Sequence, residues 1–300
     1  MSLLQIGTRG SRLALLQAGL AADALREAGL GPVAIVPIST IGDRDRRRPF
    51  SELGPRGVFS SELEEALATG RIDLAVHSAK DLTTDHPDGM TIVGVLPRGD
   101  ARDALCGPYA SLDELPEGAR IGTASIRRAA ALRALRPDLR IESLRGNVET
   151  RLRKRGERGL DGIVLAACGL DRLGLADQIG FRFASEAVLP ETGQGFIALQ
   201  VRADLALRFA GLGGADELEL LSAERLAAWR LEGGCRAPVA TYAERLADGG
   251  IRLRAWVAAL DGSRTASADG SGADPAALAV QIAAEVLAAG GRELVEAARA

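Results

Sequence analysis

One short pattern occurs twice. Ile6-Gly7-Thr8-Arg9-Gly10-Ser11 leads into an Ala/Leu-rich stretch, and Ile121-Gly122-Thr123-Ala124-Ser125 leads into another 115 residues later (121 − 6). Each copy reads as an apolar strand end, a Gly-Thr turn, a serine N-cap and a helix. The repeat predicts two α/β lobes built alike, each presenting a helix N-terminus at a strand end, where such folds take ligands across a cleft. Between and beyond the copies, Val33 to Ile38, Leu74 to Val76, Thr91 to Leu96, Ile163 to Ala167 and Ile197 to Val201 read as buried strands. Leu13, Leu16 and Leu20 keep helical spacing, as do Leu63, Ala66 and Leu67, and Ser61-Glu62-Leu63-Glu64 fits a capping box. After about Gly211 the character shifts to a long helix over Asp216 to Arg230, a strand over Ile251 to Ala259, Gly/Ser/Asp-rich turns around Asp261 to Gly272 and an alanine-rich helix. That tail predicts a third, smaller α+β domain, and 300 residues are enough chain for the set.

Composition narrows the function. The 37 Lys+Arg against 40 Asp+Glu give a net charge of −3, so no global positive excess marks a nucleic-acid or membrane-surface binder. No apolar run approaches the ~20 residues of a membrane span, and no signal peptide is apparent, so the expected compartment is the cytoplasm. Only Lys80 and Lys154 are lysines, leaving 35 arginines (37 − 2). The histidines are His77 and His86; the cysteines Cys106, Cys168 and Cys235 lie 62 and 67 residues apart, which offers no zinc cluster and no disulfide framework. No metal site is expected.

Positive charge is nevertheless local. Residues 120 to 158 hold eleven arginines and Lys154 against four acids, a balance of +8. Arg153, Lys154, Arg155 and Arg158 read as a solvated helix face. Arg127-Arg128 just after the N-cap serine, and Arg145-Gly146-Asn147 at a strand-to-helix turn, sit where guanidinium forks would meet carboxylate or phosphate. The same stretch contains no aromatic on which a base could stack, which argues against RNA and for a polyanionic small ligand. Asp73-Leu-Ala-Val-His-Ser-Ala-Lys-Asp81 places His77, Ser78, Lys80 and Asp81 at a strand end. Lys80 is either a surface ion-pair partner or a compact ammonium wanted beside a carboxylate. A Ser78-His77-Asp81 triad is sterically poor because neighbouring strand residues face opposite ways; Asp81 is the better chemical group, able to stabilise a cation or carry a proton. Cys168 and Cys106 read as packing residues, and His86, beside Pro87, as a loop residue. Cys235, in the glycine-rich turn Leu231-Glu-Gly-Gly-Cys-Arg236, is either an ordinary turn residue or a reactive, modified thiol favoured by Arg236.

Taken together, Gly-Thr-Arg-Gly-Ser at 7 to 11, Ala-Val-His-Ser-Ala-Lys-Asp at 75 to 81, Ser-Ile-Arg-Arg at 125 to 128, Leu-Arg-Gly-Asn-Val at 144 to 148, Gly-Leu-Asp-Arg-Leu-Gly at 169 to 174, Gly-Gln-Gly at 193 to 195 and Leu-Glu-Gly-Gly-Cys at 231 to 235 resemble the hydroxymethylbilane synthases, also called porphobilinogen deaminases, from Ile6 to the C-terminal helices. The resemblance implies a transferase of tetrapyrrole, porphyrin and heme biosynthesis. Such an enzyme joins four porphobilinogen molecules head to tail, each losing ammonia, onto a covalent dipyrromethane cofactor, and water releases the linear tetrapyrrole hydroxymethylbilane. It implies a thioether from the cofactor to Cys235, and Asp81 as the catalytic carboxylate stabilising positive pyrrole species. Cofactor binding would fall to Lys80, Ser78, Thr123, Ser125, Arg127, Arg128 and Arg151. Substrate would meet Arg9, Ser11, Gln17, Arg145, Arg172, Gln194 and Gly195. Asp43 to Phe59, with Arg44, Arg46, Arg47, Arg48, Arg56 and Phe59, would form a lid.

The implied fold is two type II periplasmic-binding-protein-like lobes around a cleft plus a small α+β C-terminal domain. Domain 1 would be discontinuous, 1–97 and 196–212 with lid loop 43–59; domain 2 would span 101–190, and domain 3, bearing the cysteine loop, 215–300. A monomer that hands its product to the next pathway enzyme is expected. Arg12, Arg56, Ala79 and Gln200 depart from the residues usual in the family, and none removes a group given a role above. The competing reading is a non-catalytic two-lobed binding protein for a polycarboxylate ligand, which would have no need of the Cys235 turn.

Overall fold

A computed structural model of the chain describes residues 3–40, 60–84, 87–231 and 237–299. The expected lid with Arg56 and Phe59, His86, and the turn holding Cys235 lie outside the described residues. The chain forms two compact units, Met1–Gly99 with Gly195–Leu221, and Asp100–Gln194 with Ser222–Ala300.

In the first unit, β1 (Leu4–Arg9) lies parallel to β2 (Val33–Ile38) and β3 (Leu74–Ser78). Strand β10 (Ile197–Arg202) returns from far along the chain and runs antiparallel between β3 and β4 (Met90–Leu96), giving the order β2-β1-β3-β10-β4. Alternation along β3 sends Leu74 and Val76 into one core with Leu4, Ile6, Leu199 and Phe209, and Ala75 into a second core under α2 (Ser61–Ala68). Helix α1 (Arg12–Glu27) is where expected, but Leu16 and Leu20 are exposed. Its buried face is Gln17, Ala18, Ala21, Ala22 and Leu25, because small residues let the helix lie close on the sheet. The capping box does not form: Ser60 precedes α2, and the Ser61 hydroxyl donates to its neighbour Glu62.

The second unit repeats the plan. Strand β6 (Arg120–Gly122) is parallel to β7 (Arg140–Glu142) and β8 (Gly162–Ala166), while β5 (Asp103–Cys106) runs antiparallel between β8 and β9 (Ile179–Arg182). The order β7-β6-β8-β5-β9 matches the first sheet strand for strand, β6 standing for β1 and β5 for β10. In each sheet the antiparallel strand is the one entered directly after the chain crosses between units, at 99/100 for β5 and 194/195 for β10. These are the two type II periplasmic-binding-protein-like lobes implied by the sequence. Helices α3 (Ile126–Leu135), α4 (Val148–Glu157) and α5 (Ala167–Leu173) follow β6, β7 and β8.

After α6 (Ala215–Arg230) comes an antiparallel sheet, β11 (Val239–Arg245), β12 (Ile251–Ala258) and β13 (Thr265–Gly272), followed by α7 (Pro275–Val286) and α8 (Arg292–Arg299). Residues 265–272 were expected as turns and instead pair with β12 at every residue. Their smallness has a packing use: Ile282 of α7 lies so close to Gly270 that a Cβ there would press on it.

Candidate active site

The end of β3 turns through a short 3-10 helix, Ala79–Asp81, so that three polar side chains leave the sheet within four residues. Ser78 Oγ donates to Gln17 Oε1 at 3.0 Å, tying β3 to the buried face of α1. The Ala79 N–H donates to the Phe196 carbonyl, which fixes the turn on the strand neighbouring β3. At the adjoining end of β1, Arg9 Nη1 stands 3.6 Å from Asp81 Oδ2, with side-chain exposures of 22% and 29%. A carboxylate that is oriented by a cation yet still open to solvent can meet a ligand. Ser11 Oγ accepts the Ala14 N–H as the N-cap of α1. Beneath the turn, His77 Nε2 is 3.0 Å from Gln200 Oε1, both buried. Burial raises the Glu64 pKa, and hydrogen bonds from Ser60 and Gln200 offset part of that rise.

The equivalent strand end of the second unit is built from charge. Ser125 caps α3, its Oγ accepting the Arg128 N–H, and its own N–H donates to Thr123 Oγ1 at 3.2 Å. Arg127 and Arg128 in the first turn are only 2% and 4% exposed, and both pair with Asp103, which is fully buried. Arg127 Nη2 donates to Asp103 Oδ2 at 2.6 Å and Nη1 to the Leu189 carbonyl. Arg128 Nε donates to Asp103 Oδ1 at 2.9 Å, with further bonds to the Val164 carbonyl and Gln194 Oε1. Burial alone would raise the Asp103 pKa; the two guanidinium charges hold it well below the usual carboxylate range. Gln194 is also fully buried, its amide donating to Asp103 and to the Ala101 carbonyl. The expected fork pair Arg127-Arg128 is thus wired into protein, and the Gln194 side chain with it.

The third cluster follows β7. Gly146 has φ +130, and a Cβ there would press into Thr150; Asn147 caps α4 by accepting the Thr150 N–H. Arg151 Nε donates to the Gly146 carbonyl at 2.6 Å and Lys154 Nζ to the Arg145 carbonyl at 3.0 Å. Basic residues of α4 therefore brace the turn that presents Arg145. Lys154 and Arg158 were expected simply as a solvated face; Lys154 is partly buried on this turn and Arg158 reaches the Ser143 carbonyl, while Arg153 pairs with Glu157 in solvent as expected. Arg172 is half-buried on α5. At the crossover, Gly195 has φ +98 and a Cβ would run into the Gly99 carbonyl, so only glycine suits that position.

Sequence reasoning missed Asp103, Gln200 and Glu64. Asp103 had one available signal, a lone acid opening the otherwise apolar run Asp-Ala-Leu-Cys106, since an acid in a buried strand requires a cation.

Comparison with known proteins agrees along the whole chain. The family model described as "Porphobilinogen deaminase, dipyromethane cofactor binding domain" matches residues 4–207, and that described as "Porphobilinogen deaminase, C-terminal domain" matches 218–288. A porphobilinogen deaminase of Roseiflexus castenholzii is 46% identical over 298 residues, covering 97% of this chain and 98% of its own. One from Acidithiobacillus ferrooxidans is 43% identical over 99% of this chain and 98% of its own, and one from Geobacter metallireducens 39% over 97% and 93%.

Proposed function

The chain belongs to the porphobilinogen deaminase family, transferases that join four porphobilinogen units on a dipyrromethane cofactor, and from that premise we propose which of its residues do the work. Asp81 is the catalytic carboxylate, Arg9 orients it, and Cys235 anchors the cofactor. The observation that carries this is the Arg9–Asp81 pair at 3.6 Å on adjoining strand ends, partly open to solvent.

Each addition breaks the bond from the porphobilinogen aminomethyl carbon to nitrogen, forms a carbon–carbon bond, and moves one hydrogen from the attacked pyrrole carbon to the departing ammonia. Asp81 supplies the two things this requires of the protein: a negative charge beside the carbon that becomes cationic when nitrogen leaves, and an acceptor for the displaced proton. Arg9 keeps that carboxylate aimed, and the Ser78–Gln17 bond ties the strand end that carries the turn to α1.

The cofactor's acetate and propionate groups suit the second unit's donors. That cluster holds two guanidinium groups on one carboxylate, and the Nε–H of Arg127 is buried without an acceptor. Thr123, Ser125, Arg127, Arg128 and Arg151 would hold it, with Lys80 and Ser78 from β3. When bound, the group supplies a free pyrrole α-carbon on which the chain grows. Arg145, Arg172, Arg9, Ser11, Gln17, Gln194 and Gly195 would line the substrate path, with Arg56 and Phe59 in a lid.

We divide the chain into domain 1 (1–97, 196–212), domain 2 (101–190) and domain 3 (215–300), a reading supported by three separate sheets and by the break between the family matches at 207 and 218. Among the described residues no helix is long and apolar enough to cross a membrane, and we take the enzyme to act as a cytoplasmic monomer that hands hydroxymethylbilane to the next pathway enzyme. Asp81→Ala removes a partly exposed side chain, so its melting temperature should stay near that of the parent. Turnover of porphobilinogen should fall at least about 100-fold, the usual scale for a positioned proton-transfer group. An Asp81→Ala protein that consumes porphobilinogen at the parent rate would refute the assignment.

A further inference from the structure

Asp103 has no part in the scheme above, yet it is the hub of a fully buried charge cluster. Its Oδ1 accepts from Arg128 Nε at 2.9 Å and from Gln194 Nε2 at 2.9 Å, with Arg128 Nη2 2.8 Å away. Its Oδ2 accepts from Arg127 Nη2 at 2.6 Å. The outer arms are held by backbone carbonyls at Leu189 and Val164, and Gln194 is itself held by Ala101. Three chain segments meet here: the start of β5, the first turn of α3 and the residue before the 194/195 crossover.

Two guanidinium groups held side by side with little exposure repel each other and lose hydration; the Asp103 carboxylate between them offsets that repulsion, and the charge of Glu191 adds to it at Arg128. A long arginine side chain free in solvent would lose rotamer freedom on meeting a ligand, whereas these two are already fixed.

We propose that Asp103 is a positioning residue for the cofactor: it locks Arg127 and Arg128 into one preset pair of guanidinium groups at the N-terminus of α3, ready for the cofactor's carboxylates. The proposal rests on the reading that the cofactor is carried at Cys235. Asp103 acts through the arginines and touches no reacting atom.

The test reads cofactor loading rather than turnover, by the intact mass of the purified full chain before and after incubation with porphobilinogen. Asp103→Asn keeps the shape and removes the charge; Asp103→Glu keeps the charge and enlarges the side chain. If the charge positions the arginines, the Asn variant loads at least tenfold less than the parent and the Glu variant loads better than Asn. If Asp103 only fills space, the isosteric Asn loads like the parent and Glu is the worse of the two, which overturns the proposal. Should both variants fail to fold, Gln194→Glu decides: a carboxylate in place of the amide that touches both Asp103 and Arg128 competes with Asp103 for the guanidinium groups, so loading should fall at least tenfold in folded protein, and parental loading there overturns the proposal. A parent chain that never shows the cofactor mass would instead sink the Cys235 reading, so the two failures are distinguishable.

Discussion

At the scale of single residues, surroundings decide what a reactive group does. Burial pushes the Cys106 thiol up to about 12, which the charges of Arg155 and Arg128 only partly offset, and Cys168 is buried as well. Such a Cys106 thiol is a poor nucleophile, and the burial of both residues fits packing roles, which supports the anchor role we propose for Cys235. Alkylation tests this. Native, cofactor-loaded protein should resist iodoacetamide; after denaturation it should take up two labels, at Cys106 and Cys168, with Cys235 blocked. A third label on loaded protein would place the cofactor elsewhere. Residue types told part of this in advance: Cys106 and Cys168 sit in apolar runs, Cys235 in a glycine-rich turn. The fate of Arg127 and Arg128 was not told. Their partner Asp103 is 24 residues before Arg127 (127 − 103) and meets it only because β5 crosses back beside β8, a pairing no local pattern encodes.

Among the elements, the repeated strand–Gly-Thr–helix pattern announced two like lobes, and the matching sheet orders are that repeat in three dimensions. Periodicity located α1 but did not show its packed face: of the leucines that mark its spacing, Leu16 and Leu20 lie outward and Leu13 is half-buried, while alanines pack. Strand β13 escaped notice because its stability comes from eight pairings with β12 and from room for α7, neither visible in the composition of Thr-Ala-Ser-Ala-Asp-Gly-Ser-Gly272. Close backbone approach is the feature most dependent on one residue. In β4, a Cβ at Gly94 would overlap the Leu212 carbonyl; β4 cannot withdraw without breaking its pairing with β10, and the Leu212 turn is held by its N–H to the Phe209 carbonyl and by the Gly214 N–H to the Val95 carbonyl. Gly94→Ala should therefore cost about 3 kcal/mol, the scale of overpacking in a closed core, read as a lower urea midpoint with an unchanged slope. A midpoint matching the parent's would show that the β4 contact with Leu212 yields easily.

For the whole molecule, the two units are interleaved in sequence: the first is completed only after the second lobe's sheet has been passed, because β10 arrives from beyond residue 194. That strand sits inside its sheet, between β3 and β4, and its segment brings Phe196, Ile197, Leu199, Val201, Phe209 and Leu212 into the buried interior. At about 1.5–3 kcal/mol for each large apolar side chain removed from water, those six contribute on the order of 10 kcal/mol. That is comparable with the entire 5–15 kcal/mol net stability of an ordinary domain. A chain ending at Gln194 would also expose unpaired edges on both β3 and β4. Such a truncation should leave β3 and β4 without hydrogen-exchange protection, and the turn carrying Lys80 and Asp81 unanchored, since the Ala79 N–H loses the Phe196 carbonyl. The lobe housing Asp81, the carboxylate we propose as catalytic, thus depends on chain made after the lobe housing the arginines. Full protection of β3 and β4 in the 1–194 fragment would show that β1 to β4 form a self-sufficient sheet, and would remove β10 from that dependence.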